Sequence, residues 1–285
     1  MLTQAEKAAA FVELHQRPGT FIIPNPWDVG SARLLEDLGF EALATSSAGY
    51  AFSVGQADNA VGRDEMLAHA TAVSSATDLP VSIDLAKGFG DAPEAVAETI
   101  RRAAATGAVG GSIEDATGSS DEPQYERVLA VARIRAAAEA AHRLPVPFVL
   151  TARAENFLVG KPDLKDTIER LQLYQEAGAD VLYAPGLTKL DDIKAVVSSV
   201  DRPVNVLLAL KGVPLTLADL AAAGVKRISV GSALARCAYS AFLNAAREMK
   251  DHGTFAFADD VTTYASLNGM FTMMNSQGRN SGHAD

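Results

Sequence analysis

The chain has 285 residues, 48% of them hydrophobic, and a formal charge of −10, a length that suits one large α/β unit or two small domains. The acidic balance argues against a nucleic-acid partner, which would need a basic footprint, and no apolar run approaches the ~20 residues of a membrane span. A single cysteine, Cys237, excludes an intrachain disulfide and any cysteine-cluster metal site.

The first segment, MLTQAEKAAAFVELHQ, lacks the basic start and continuous apolar stretch of a secretory signal. It reads as an amphipathic helix with Thr3 and Glu6 spaced as a capping box, and a cytoplasmic location is expected. Eight short β-rich runs follow: FIIPNP (21–26), EALATSSAG (41–49), PVSIDLA (80–86), VGGSIED (109–115), FVLTARAE (148–155), DVLYAPG (180–186), PVNVLLA (203–209) and KRISVGS (226–232). Helical patterns such as PEAVAETIRRAAATGA and DTIERLQLYQEAGA lie between them, with apolar residues three and four apart and a glycine near the C-cap. Eight βα repeats without a composition break predict an α/β fold, a (β/α)8 TIM-type barrel with additional C-terminal helices. The open doubly wound sheet is the alternative, but it would show a Gly-rich phosphate turn after its first strand, which PNPWDVGSA is not.

Beyond the eighth run, GSALARCAYSAFLNAAREMKDHG forms a long helix and FADDVTTYASLNGMFTMM a second, more than a barrel needs. An apolar helix appended to a barrel covers one end of it or packs on a neighbouring subunit, so a homodimer or homotetramer is expected. The predicted organisation is a barrel with its N-terminal helix over 1–255, a helical extension over 256–275 and a polar, disordered tail over 276–285.

Reactive groups in such barrels sit at the C-terminal strand ends and in the loops that follow. Those positions hold Asn25, Trp27, Asp28, Thr45, Ser46, Ser47, Asp58, Asp84, Lys87, Glu114, Asp115, Arg153, Glu155 and Asn205. Carboxylates suit a hard cation such as Mg²⁺, while one arginine and several small donors suit a substrate carboxylate. Asp28 and Asp91 read more simply as turn or cap residues. Glu114 and Asp115 have a plain reading as a solvated strand end, and Arg153 as either substrate clamp or structural counter-ion. Acidic strand ends converging on one mouth repel unless a cation neutralises them, which favours a functional reading for Asp84 and Glu114. No histidine falls at a strand end, so neither a histidine base nor a histidine metal site is expected. Cys237 reads as a buried structural thiol.

With these residues in place, the chain from about Gly19 to Gly253 resembles the isocitrate lyase/phosphoenolpyruvate mutase superfamily. PNPWDVGSARLLEDLGFEALATSSAG is similar to that family's opening strand-helix-strand, SIDLAKGFGD stands where its acidic D-x-D/E-x-G-[YF]-G motif belongs, and GGSIEDATG, LTARAENFL and PVNVL follow in its order. The resemblance implies Mg²⁺-assisted chemistry on a small 2-oxo or 2-hydroxy carboxylate through an enolate, with C-terminal helices exchanged between subunits. It implies that Thr45, Ser46 and Ser47 hold the substrate carboxylate, that Asp58 is an acid-base or supporting carboxylate, and that Asp84 and Glu114 serve the metal. Arg153 would clamp substrate oxygens beside Glu114 in the catalytic set, and Asn205 would be a further substrate contact.

Four departures bear on the reaction. The loop after the fourth strand, ATGSSDEPQYERV, lacks the cysteine of isocitrate and methylisocitrate lyases, and Glu114-Asp115-Ala116 lacks the lysine of the E-D-K lid in mutases and phosphonopyruvate hydrolases. Ala184-Pro185-Gly186 replaces a glutamate present in many lyases, and Ala86 replaces the second acid of the third-strand motif, which weakens Mg²⁺ binding. Lys87 beside it either adds repulsion or points to solvent. The sequence thus favours a carbon–carbon lyase of decarboxylase or retro-aldol type. A hydrolase or phosphonomutase on a 2-oxo acid and an inactive carboxylate-binding barrel are the alternatives.

Overall fold

A computed structural model describes residues 2–280, with side chains described up to residue 275. Its strands are β1 Phe21–Ile22, β2 Leu43–Ala44, β3 Val81–Asp84, β4 Gly110–Glu114, β5 Val149–Arg153, β6 Val181–Tyr183, β7 Val204–Leu207 and β8 Arg227–Ser229. Each lies inside one of the eight predicted runs. All neighbours pair in parallel in the order β1-β8-β7-β6-β5-β4-β3-β2. Between β1 and β2 the Ala44 N–H donates to the Pro24 carbonyl at 3.1 Å, and the Asn25 amide donates to the Thr45 carbonyl at 3.2 Å. The fold is therefore a TIM-type α/β barrel, as predicted.

Parallel strands are covered on both faces, and this one fact selects their composition. The β5 run VLTA is buried throughout, and only at Arg153 does the strand emerge into partial exposure. Helices coat the outside, and their starts are written locally. Asp28 caps the helix Val29–Asp37 through a reciprocal box with Ser31, and Thr3 and Glu6 do the same for Gln4–Gln16. Gly178 and Gly224 end helices at φ 105° and 80°, conformations that need a residue without Cβ just before the chain enters β6 and β8.

The N-terminal helix closes the bottom of the barrel. Phe11, wholly buried, shares a cluster with Phe21, Val109, Val149 and Val181 at the strand beginnings and with Ile23 just past β1. Its ring lies so close to β4 that a Cβ on Gly110 would meet Phe11 Cε1 at 2.8 Å and the Val149 carbonyl at 2.9 Å. Buried Lys7 fastens the same helix by donating to the carbonyls of Ser74 and Thr77, at 3.0 and 2.5 Å.

The C-terminal part behaves differently. The helix Ala233–His252 buries only Ala235, leaving Phe242, Leu243 and Met249 exposed, and Tyr264–Asn280 presents exposed Tyr264, Leu267 and Met273. Of the tail predicted at 276–285, residues up to Asn280 continue that helix and 281–285 lie outside the described residues. Among the described residues no helix is long and apolar enough to cross a membrane.

Gly110→Ala forces Phe11 and β4 apart, and a loss of about 1–3 kcal/mol in urea unfolding is expected, the usual cost of overpacking a core. A change below about 0.5 kcal/mol would show that the helix is not seated against β4.

Candidate active site

Arg153, the last residue of β5, stands at the centre of the barrel mouth. Its Nη1 meets Asp84 of β3 at 3.1 Å, its Nη2 meets Glu114 of β4 at 2.9 Å, and its Nε meets Glu155 at 2.8 Å. Every guanidinium nitrogen thus faces a carboxylate, and the Tyr183 ring lies 5.4 Å beneath. Register explains the convergence: Glu114 pairs with Arg153, Arg153 with Tyr183, and Tyr183 with Asn205 in one cross-strand row.

Four acids, Asp58, Asp84, Glu114 and Glu155, share this mouth with one cation. Burial pushes the Glu114 carboxyl up to about 8 against the pull of Arg153, with Glu155 and Asp84 adding to the rise. Glu155 is raised for the same reason. Burial draws Arg153 down, but the charges of Glu155, Glu114 and Asp84 outweigh it and hold the guanidinium protonated. Asp58 sits exposed at the rim, yet the protein wall behind it and the nearby Asp84 charge raise it too.

Asp84 is held by four donors. The N–H and hydroxyl of Ser47 reach its Oδ2 at 3.1 and 2.9 Å, while the Ala86 N–H and Arg153 Nη1 reach Oδ1 at 3.2 and 3.1 Å. The Ser47 hydroxyl also lies 3.4 Å from Asp58 Oδ1, so it is the donor that can turn away. Thr45 Oγ1 accepts from the Asp84 N–H at 3.0 Å, and Ser46 Oγ caps the helix Ser47–Ser53 through the Gly49 N–H at 3.1 Å. Asn205 lines the same cavity, its amide bound to Arg227 and Ser229 at 2.9 Å each. Thr45, Ser46, Ser47, Asp58, Asp84, Arg153 and Asn205 therefore gather around one cavity of about 190 Å³ with Glu114 at its edge, whereas Asp28 caps a helix outside it. The Thr45 and Ser46 hydroxyls only accept in these bonds and keep their O–H groups to donate, whereas the Ser47 hydroxyl donates to Asp84.

Among the described residues no three His, Cys, Asp or Glu side chains enclose a cation by themselves. The donor set still fits Mg²⁺, which uses one or two carboxylates and fills the remaining positions with water and substrate oxygens. Glu114 Oε1 has no protein partner among the described residues, and Asp84 becomes available when Ser47 turns to Asp58. Ala86, in the place of the missing acid, has φ 46°. Lys87 points away from these acids, its ammonium donating to Asp91 at 3.0 Å and to the Thr117 carbonyl at 2.8 Å. That carbonyl belongs to the hairpin of the fourth loop, where Ala116 bridges Gln124.

Several supports were hidden from sequence reasoning. Asp115 is no solvated strand end: only 2% exposed, it accepts from the Glu155 N–H, Gln124, Arg170 and Tyr174, and so ties the hairpin base to β5. Buried Arg133 donates to the carbonyls of Lys87, Gly90 and Asp91 and lies over the Tyr125 ring. It fixes the turn in which Ala86 and Phe89 take positive φ. Cys237 corrects the expectation of a buried thiol: it is exposed, because most of its helix is uncovered.

The sequence profile of phosphoenolpyruvate phosphomutase matches residues 11–250. The chain belongs to the phosphoenolpyruvate phosphomutase family, within the isocitrate lyase/phosphoenolpyruvate mutase superfamily of enzymes. A crystal structure of a candidate lyase/mutase from Burkholderia cenocepacia J2315 is 60% identical, with a TM-score of 0.93 over 94% of this chain and 97% of that one. A 2,3-dimethylmalate lyase structure is 26% identical, with a TM-score of 0.84 over 100% of both chains. The oxaloacetate decarboxylase of Bradyrhizobium sp. (strain BTAi1 / ATCC BAA-1182) is 29% identical over 211 residues, covering 72% of this chain and 70% of the relative.

Removing one partner of a buried ion pair strands the others. Arg153→Met is expected to cost about 3–5 kcal/mol in denaturant unfolding at pH 8, with a smaller loss at pH 5, where Glu114, raised to about 8, has taken up its proton. Equal losses at both pH values would contradict this charge balance.

Proposed function

We propose that the protein is a Mg²⁺-dependent lyase that breaks or forms a carbon–carbon bond in a small 2-oxo or 2-hydroxy carboxylate through an enolate, of the decarboxylase or retro-aldol type. The carrying observation is the surplus of carboxylates over cation at the barrel mouth: Asp58, Asp84, Glu114 and Glu155 around Arg153 alone. Such a cluster favours a dication, and Glu114 with Asp84 would hold it. Bound there, Mg²⁺ supplies positive charge beside an oxygen that becomes negative in the transition state.

The chain's own residues do the remainder. Arg153, steadied by Glu155 and Tyr183, holds a positive charge at the mouth for the same oxygen, and the electrostatic gain is large because the site is mostly shielded from water. Asp58, at the rim with a raised pKa, is placed to give or take a proton at substrate carbon. Thr45, Ser46, Ser47 and Asn205 orient the substrate carboxylate from the cavity wall. The names of two relatives, an oxaloacetate decarboxylase and a 2,3-dimethylmalate lyase, support carbon–carbon chemistry. The absence of a lid cysteine and of the E-D-K lysine speaks against thiol-dependent cleavage and phosphorus–carbon chemistry.

The exposed Phe242 and Leu243 of Ala233–His252 and Tyr264 and Leu267 of the last helix support a homodimer or homotetramer in which these helices meet a second copy. Light scattering at micromolar concentration should give two or four times the 29.8 kDa chain mass, and Phe242→Glu should dissociate it. A monomeric mass for the unaltered protein would reject this assembly.

Oxaloacetate, dimethylmalate, methylisocitrate and phosphonopyruvate, each supplied with Mg²⁺ and separately with EDTA, test the reaction. Turnover of oxaloacetate or dimethylmalate that EDTA abolishes is expected. EDTA-insensitive turnover would sink the metal-assisted route, and ligand binding without any turnover would favour the inactive barrel. Ala86→Asp restores the family acid at a φ that Asp tolerates better than Ala. It should tighten Mg²⁺ binding about tenfold by calorimetry; unchanged affinity would place the metal away from this loop.

A further inference from the structure

The barrel interior below Arg153 is polar where branched apolar side chains ordinarily fill it. Arg227 of β8 follows Asn205 in the same cross-strand row and points inward, 5% exposed, at the wall of the cavity. Its Nε donates to Asn205 Oδ1 at 2.9 Å, its Nη2 to Thr151 Oγ1 at 2.9 Å, and its Nη1 lies 3.3 Å from His15 Nε2. His15 Nδ1 bonds the Phe11 carbonyl at 2.7 Å, and burial followed by the Arg227 charge lowers the imidazole to about 3, so this ring is neutral and accepts through Nε2. Every partner of Arg227 is thus uncharged. Among the described residues no carboxylate pairs with it, whereas Arg153 is met by three.

A guanidinium carries five N–H donors, and three are used here, which leaves one on each Nη. Two further donors line the cavity without a protein partner among the described residues: the hydroxyls of Ser82, 4% exposed, and of Ser112. A buried cation without a counter-ion is costly, and so are idle buried donors. Both costs are offset when an anion enters.

We infer that Arg227, with the Ser82 and Ser112 hydroxyls, forms a second anion subsite on the cavity floor, which takes the distal carboxylate of a dicarboxylate whose reacting end lies at the Arg153 mouth. This rests on the proposed reading of the mouth as a site for a 2-oxo or 2-hydroxy carboxylate. The His15 contact places the subsite directly above the N-terminal helix, so the depth of the barrel floor limits the length of the substrate. The neutral side chains around Arg227 keep its charge available to the ligand, in contrast to Arg153, whose charge is already shared among acids.

The test is calorimetric binding of succinate and butyrate, two four-carbon acids that differ in the second carboxylate. The unaltered protein should bind succinate at least tenfold more tightly. In Arg227→Gln this preference should fall to within about twofold, with butyrate affinity unchanged. Arg227→Lys keeps the charge and should retain part of it. Should Arg227→Gln fail to fold, Ser82→Ala/Ser112→Ala leaves the arginine in place and should lower the preference several-fold. A preference that survives Arg227→Gln or the double variant, or its absence in the unaltered protein, overturns the inference. Because binding is read without turnover, an intact preference in a protein that turns over nothing would reject the lyase reading and leave the subsite standing.

Discussion

The site depends on one arginine held among three carboxylates. Arg153 ends β5, Asp84 ends β3 and Glu114 ends β4; register sets Glu114 beside Arg153, and Asp84 and Glu155 close on the same guanidinium. A buried charge without partners would be expelled or neutralised; here each guanidinium nitrogen has its own acid, yet the acids outnumber it. The arrangement is satisfied on the side of the cation and strained on the side of the anions. Burial first, and the neighbouring acids after it, raise Glu114, Glu155 and Asp58, and the surplus of acids is what makes the mouth receptive to a further positive charge.

Much of the surrounding structure keeps this cluster in register. The Asp115 carboxylate accepts from the Glu155 N–H, from Gln124 and from Arg170 and Tyr174 of the next helix, and so ties β4, β5 and the fourth-loop hairpin together. Arg133 reaches from the helix Arg127–His142 to three carbonyls of the turn after β3 and holds the positive φ of Ala86 and Phe89. Lys87 is drawn into that turn and the hairpin through Asp91 and the Thr117 carbonyl. The replacement of an acid by Ala86 therefore leaves a shaped turn with a free position, and its neighbour does not fill it.

The eight strands were legible because buried parallel strands need short apolar, β-rich runs, and five of the eight runs end in a carboxylate, hydroxyl or glycine that marks a barrel mouth. Asp84, Glu114 and Arg153 were legible as strand ends for the same reason. What the runs concealed was direction and partnership. Arg227 lies inside KRISVGS, where period-two alternation sets Arg227 and Ser229 on one face, but the sequence does not say which face lines the barrel interior. Asp115 and Arg133 act through residues distant in the chain, which local spacing does not report. Cys237 was misread because its helix looks amphipathic, while the face it would bury has no partner within the described residues.

The central claim is that the mouth stabilises an enolate, whichever bond is then broken. Hydrogen–deuterium exchange at C3 of 2-oxobutyrate, followed by proton NMR in D₂O, reads that step directly. Protein with Mg²⁺ should speed the exchange well above the buffer rate, and EDTA or Asp58→Asn should abolish the increase. Exchange at the buffer rate, with 2-oxobutyrate shown to be bound, would contradict the account.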